Sequence, residues 1–138
     1  MREIKYRMWN KKEKKMYDVG VLDFDDKKAY MKGYLNHTVS NYMYMFEDIE
    51  LMQFTGLHDK NGKEIYEGDI VHIPDDYEEY GFASGENYSI DYKDERFRLK
   101  PKYKPNACGY DLEYTDELEV IGNIYENPEL LKGADNIE

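Results

Sequence analysis

The sequence predicts a mainly β fold: an antiparallel, strongly bent sheet or a small pseudo-barrel, with at most one or two short helices. Three observations carry this. Apolar and polar residues alternate in residues 3–9, 50–55 and 110–125, the period of a strand with one buried face. Turn-forming clusters return about every ten residues, as in all-β domains. Rings make up 15% of the chain, enough burial per residue to hold a core in a chain of low mean hydropathy, −0.93.

Taken in order, Ile4, Tyr6 and Met8 alternate with Lys5 and Arg7, so residues 3–9 read as a half-exposed strand that Trp9 closes. Asn10 to Lys15 is a charged turn. Met16-Tyr17 and Val19 to Phe24 are short strand pieces around Gly20, and Asp25-Asp26-Lys27-Lys28 is the next polar turn. Ala29 to Leu35 returns as a strand, with Gly33 at a bulge. Val39, Tyr42, Met43 and Phe46 fall at helical spacing, and Ser40 is placed to cap a short helix running to Ile49. Tyr42, Tyr44 and Phe46 also alternate, the competing strand pattern.

The chain is organised around residues 51–71, LMQFTGLHDKNGKEIYEGDIV. Leu51 and Gln53 share one strand face, Met52 and Phe54 the other. Gly56 marks a bend. Asp59-Lys60-Asn61-Gly62 is a strong turn signal, because Asp bonds the backbone two residues on and Asn-Gly tolerates φ > 0. Gly68 permits a second tight turn. Ile70 to Ile73 is a β-branched strand that Pro74 ends.

Residues 75–95 hold eight carboxylates against Lys93 and read as a partly mobile loop with a strand at Tyr88 to Tyr92. The sign then flips: Arg96, Arg98, Lys100, Lys102 and Lys104 fall at every second position, with Phe97, Leu99, Pro101, Tyr103 and Pro105 between them. An extended segment would place these cations on one face. Asn106 to Gly109 turns the chain. Tyr110, Leu112 and Tyr114 alternate as a strand, residues 115–117 turn again, and Leu118 to Tyr125 is the last strand. Asn127-Pro128 opens one helical turn to Leu131, and residues 132–138 fray.

Three segments resemble the YopX family of phage and prophage proteins: the central stretch above, Arg2 to Asn10 with Lys15-Met16, and EVIGNIYENPELL at residues 119–131. The resemblance implies a β-rich fold and a phage setting, but no reaction, since the family has no established activity. It covers residues 1–131 as a single domain, with residues 75–105 as a variable charged insertion.

Composition narrows the function classes. A chain of 138 residues is most simply one domain with a core that needs no staples. The single cysteine, Cys108, cannot form an internal disulfide, which fits a reducing bacterial cytoplasm. No apolar run reaches the roughly 20 residues of a membrane span, and the N-terminal residues lack the apolar core of a signal peptide. The net charge is −11, which favours basic partners and disfavours nucleic acid. Residues 1–35 hold 10 basic and 6 acidic side chains; residues 36–138 hold 9 and 24.

No catalytic constellation stands out. His37, His58 and His72 lack ligand spacing and a cysteine partner. Asp23, Asp25 and Asp26 miss the calcium-loop pattern, and Gly-x-Ser-x-Gly is absent. Glu67 and Asp69 read as turn residues. No metal, cofactor or enzymatic activity is expected. The expectation is a non-enzymatic accessory protein with an unknown protein partner, able to form homo-oligomers through exposed edges. Arg96, Arg98, Lys100, Lys102, Lys104 and Tyr103 form the candidate interaction surface. The alternatives are a nucleic-acid-associated phage protein using residues 96–104, or an acidic decoy of a host DNA-binding protein. Structurally, the same basic segment could instead guard a sheet edge or pair with the acidic stretch before it.

Overall fold

The computed structural model describes residues 2–33, 42–75, 77, 85–101 and 109–131. His37, Val39, Ser40, Gly81, Lys102, Tyr103, Lys104, Cys108, the Asn106 end of its turn and the tail at 132–138 lie outside the described residues. The chain forms two compact units, Met1–Phe54 and Thr55–Glu138. Mainly β structure is observed, in two antiparallel sheets.

Unit 1 contains β1 (Tyr6–Asn10), β2 (Lys15–Asp23), β3 (Lys28–Met31), β4 (Met43–Met45) and the start of β5 (Ile49–His58). β5 continues into unit 2, followed by β6 (Glu64–Tyr66), β7 (Asp69–His72), β8 (Asn87–Lys93), β9 (Arg96–Leu99), β10 (Tyr110–Asp111) and β11 (Glu119–Asn123). The six-stranded sheet runs β4-β3-β2-β1-β5-β6 and the five-stranded sheet β10-β9-β8-β7-β11. Neither order closes on itself, so the sheets are open and the pseudo-barrel alternative does not hold.

In unit 1 the expected strand forms but its alternation holds only in part: Ile4 is exposed while Met8, Trp9 and Asn10 are buried in succession. Met8 and Ile49 are buried with Ala29, and Tyr17, Val19, Leu22, Tyr44, Phe46 and Leu51 pack on them. The two strand pieces expected around Gly20 are one strand, β2, whose register against β3 shifts between Val19 and Val21. A Cβ at Gly20 would stand 3.1 Å from the Met31 carbonyl and the Lys32 Cα, so the irregularity needs the missing side chain.

The helix expected to reach Ile49 is not formed. Met43–Met45 is strand, Phe46–Asp48 is a single 3-10 turn, and Ile49 opens β5. The β3 edge decides this. Tyr44 pairs with Ala29 and Met43 with Tyr30, and the Tyr42 carbonyl accepts from Met31 N–H at 2.9 Å. Tyr44 and Phe46, two apart, both reach the Met8 core, so the period of two wins over helical spacing.

Unit 2 is centred on Ile65, Val71, Ile73, Ile90, Leu99 and Leu118, with Tyr88 and Val120 beside them. Each such aliphatic side chain contributes roughly 1.5–3 kcal/mol by leaving water. β8 and β9 are joined by Asp94 and Glu95, both at positive φ (54° and 66°), between the paired Lys93 and Arg96. Two left-handed residues give the twist of a tight hairpin. Tyr110 to Tyr114 forms only a two-residue strand, and Pro128–Leu131 is a 3-10 turn.

The central turn is a three-residue loop. Gly62 N–H donates to the Asp59 carbonyl at 2.9 Å, and Asp59 N–H to the Lys63 carbonyl at 2.8 Å. Gly62 sits at φ 81° while Asn61 is not left-handed. This is a type I turn closed by a glycine bulge. A Cβ on Gly62 would meet nothing within 4 Å, so any penalty comes from the backbone conformation. Gly62→Val is expected to cost on the order of 1–3 kcal/mol in denaturant unfolding. An unchanged midpoint would show that this turn does not fix the hairpin.

Candidate functional site

The residues singled out for chemistry are mostly occupied in holding the fold. Asp59 is 5% exposed. Its Oδ1 accepts from Asn61 N–H at 2.8 Å and Lys63 N–H at 2.9 Å, and its Oδ2 accepts from Val120 N–H at 2.9 Å. Burial would raise its pKa, but the Val120, Lys63 and Asn61 amides and the Lys63 charge outweigh that and hold it below the ordinary aspartate value. Asp69 is buried too, and its Oδ2 takes Tyr66 N–H at 2.8 Å. Asp23 accepts from Asp26 N–H at 3.0 Å. Asn123 Oδ1 accepts from Tyr125 and Glu126 N–H at 3.0 and 2.8 Å. These are turn-closing acceptors.

His72 Nδ1 faces Asn87 Oδ1 at 2.7 Å, and Asn87 Nδ2 donates to the Leu130 carbonyl at 2.9 Å. That chain ties the C-terminal 3-10 turn to β7 and β8. His58 is exposed. Among the described residues no group of three His, Cys, Asp or Glu is placed to hold a metal ion, and no helix is long and apolar enough to cross a membrane.

The basic segment is split by its strand. β9 lies between β8 and β10, so among the described strands it is an interior one. Arg98 stands opposite Asp91 on one side and Asp111 on the other. Its side chain is 2% exposed and meets Asp91 through Nε–Oδ1 at 2.9 Å and Nη2–Oδ2 at 3.2 Å. A buried guanidinium needs such a two-point partner to offset its desolvation. Arg96 pairs with Asp111, and Lys100 is exposed. Lys102, Tyr103 and Lys104 are outside the described residues.

Sequence reasoning passed over two features of unit 1. Phe24, read only as a strand end, is 70% exposed, with Ile4 at 62% and Val21 at 39%. Phe24 lines two shallow, open depressions of about 570 and 370 Å³, the first with Val21, Leu22, Asp23, Asp25 and Tyr30, the second with Ile4, Tyr6 and Val19 among others. Phe24 meets Phe46 edge-on, ring centres 6.1 Å apart. The sequence signal was an aromatic placed directly before a charged turn. The second feature is Glu13, whose carboxylate accepts from the Tyr17 hydroxyl at 2.6 Å and the Tyr44 hydroxyl at 3.3 Å. The bond to Glu13, with some burial, pushes the Tyr17 hydroxyl well above its ordinary pKa.

Fold and geometry together define an open, two-sheet β protein whose described carboxylates pin turns and balance arginines, with an exposed apolar face on unit 1. The family described as YopX protein matches residues 5–132, and the chain belongs to that family. A crystal structure of protein EF1440 from Enterococcus faecalis is 32% identical, with a TM-score of 0.64 over 95% of this chain and 99% of that one. The yopX protein from Bacillus subtilis is 23% identical, with a TM-score of 0.58 over 92% of this chain and 97% of the other, a likeness of fold. No curated protein matches.

Removing the Asp59 carboxylate leaves three backbone donors without their acceptor, and bonds to a charged group are the stronger kind. Asp59→Ala is expected to lose about 2–4 kcal/mol in denaturant unfolding, and Asp59→Asn less. A carboxyl whose folded pKa is depressed stabilises fully above its unfolded value, about 3.9, and progressively less as pH falls through the folded value. The gap between wild type and Asp59→Asn should therefore narrow below about pH 4. A gap that widens there would reverse the assigned sign.

Proposed function

We propose that the protein is a non-enzymatic protein-binding module that uses the apolar face of unit 1 around Phe24. The observation that carries this is Phe24 itself: a large ring, 70% exposed, that lines two shallow, open depressions. Aromatic anchors beside pockets are where binding energy concentrates in interfaces, and contiguous exposed apolar surface marks interaction sites. Asp23 and Asp25 line the larger depression, so the occupant is a protein segment with an apolar side chain next to a lysine or arginine. The net charge of −11 favours the same kind of partner by long-range steering. Resemblance to phage and prophage proteins supports an accessory role inside a bacterial host cell.

The reading is tested by comparing wild type with Phe24→Ala and Asp25→Lys as baits in host cells. A partner held by wild type is purified and titrated against each variant. Phe24→Ala should weaken it by at least about tenfold, a hot-spot loss, while its unfolding midpoint moves little because the ring is mostly exposed. Asp25→Lys should slow association. A partner that binds both variants as tightly as wild type would place the contact elsewhere.

A further inference from the structure

Lys11-Lys12-Glu13-Lys14-Lys15 closes the β1–β2 hairpin, and every one of these residues is exposed. In a chain with 30 acidic residues, lysines at a hairpin tip would be expected to find carboxylates. Lys11 does: it pairs with Glu50 at 3.2 Å and donates to the Glu47 carbonyl at 3.3 Å. Lys12, Lys14 and Lys15 make no ion pair among the described residues. The one acid in the run is held back, since the Tyr17 and Tyr44 hydroxyls bond Glu13.

The tip is also fixed in shape. Asn10, 4% exposed, accepts from Lys12 and Glu13 N–H on its Oδ1 at 3.0 and 2.8 Å. Its carbonyl accepts from Lys14 N–H at 2.8 Å. Lys14 takes the left-handed conformation, φ 57°, that lets the chain return as β2. A partner meeting this tip therefore orders lysine side chains but little backbone, which lowers the entropy lost on binding.

We propose that the β1–β2 tip is an interaction surface for an acidic polypeptide segment, with Lys12, Lys14 and Lys15 as its cations. A short acidic segment engages the tip within the Debye length of about 8 Å, whereas an extended polyanion also meets the repulsion of a chain at net −11. Base stacking has little to work with at this end. Tyr17 and Tyr44 lean on each other with ring centres 5.6 Å apart, and Trp9 is 7% exposed. The surface is separate from the Phe24 face. β2 runs from Lys15 to Asp23, so at roughly 3.3 Å per residue the tip and Phe24 stand about 30 Å apart along it.

The test is fluorescence anisotropy with a labelled peptide of six glutamates spaced by serines, beside a single-stranded oligothymidine of equal charge, at roughly 50 and 200 mM salt. Saturable peptide binding that weakens with salt is expected. Lys12→Glu/Lys14→Glu should weaken it by at least about tenfold, and Glu13→Gln should tighten it. Lys27→Glu, an exposed charge at the far end of β2, should change it little. Thermal unfolding of each variant separates lost binding from lost fold. Absence of saturable peptide binding, an equal loss in Lys27→Glu, or tighter binding of the oligothymidine overturns the proposal. Phe24→Ala should leave peptide affinity unchanged, so the two surfaces stand or fall apart.

Discussion

One buried carboxylate carries much of the architecture of unit 2. Asp59 sits at the mouth of the β5–β6 turn and reaches across 61 positions of sequence to the Val120 amide in β11. Burying a charge is expensive unless its hydrogen bonds are made. Here Asn61, Lys63 and Val120 supply them, and the next residue, Lys60, donates its N–H to the Leu118 carbonyl at 2.9 Å. β11 is the last strand of its sheet, so the turn covers backbone groups that an open edge would expose. β7 pairs with β11 from His72–Glu119 to Asp69–Asn123, with a shift of register between Val120 and Gly122, and the Gly68 carbonyl accepts from Ile124 N–H at 2.8 Å. The central and C-terminal segments that carry the family resemblance are thus joined to each other in the fold.

The same device recurs at smaller scale. Asn10, Asp23, Asp69 and Asn123 each turn a side-chain oxygen onto backbone N–H groups within a few residues. In β-proteins the turns set the strand register, and a short polar side chain fixes a turn without core volume. A chain so rich in acids therefore spends several of them on backbone. Others balance Arg96 and Arg98 along β9. What is left over is uneven. Unit 1 holds 10 basic and 9 acidic side chains and unit 2 holds 9 and 21. On unit 1, Lys12, Lys14 and Lys15 gather at one hairpin tip with no ion pair among the described residues, and Phe24 is exposed.

Local periodicity and turn chemistry made much of this legible. The alternations around Met8, Met52 and Val120, the Asp59–Gly62 turn, the Gly68 turn and the short C-terminal helical turn are all visible in residues a few positions apart. The failures were long-range. Residues 42–48 fit a helix by spacing, and the open β3 edge overrode that. Asp59 was legible as a bond to Asn61, but Val120 is too far along the chain to suggest. The basic segment had two structural readings. Pairing with the acidic stretch before it is met by Arg98 on Asp91, while the guarded edge is not, because strands flank β9 on both sides and bury Arg98. Phe24 gave only its place before a charged turn and Glu13 gave no signal, since exposure and hydroxyl partners are set only by folding.

The central claim is that the stretch at residues 51–71 is a scaffold held by an ionised, backbone-bonded Asp59. The most direct test is an NMR pH titration of the Asp59 side-chain carboxyl carbon, with the amide protons of Asn61, Lys63 and Val120 followed in the same samples. The account predicts a midpoint below the ordinary aspartate value, about 3.9, and amide shifts at those positions that track it. A midpoint raised above that value, or amides that ignore the titration, would contradict it.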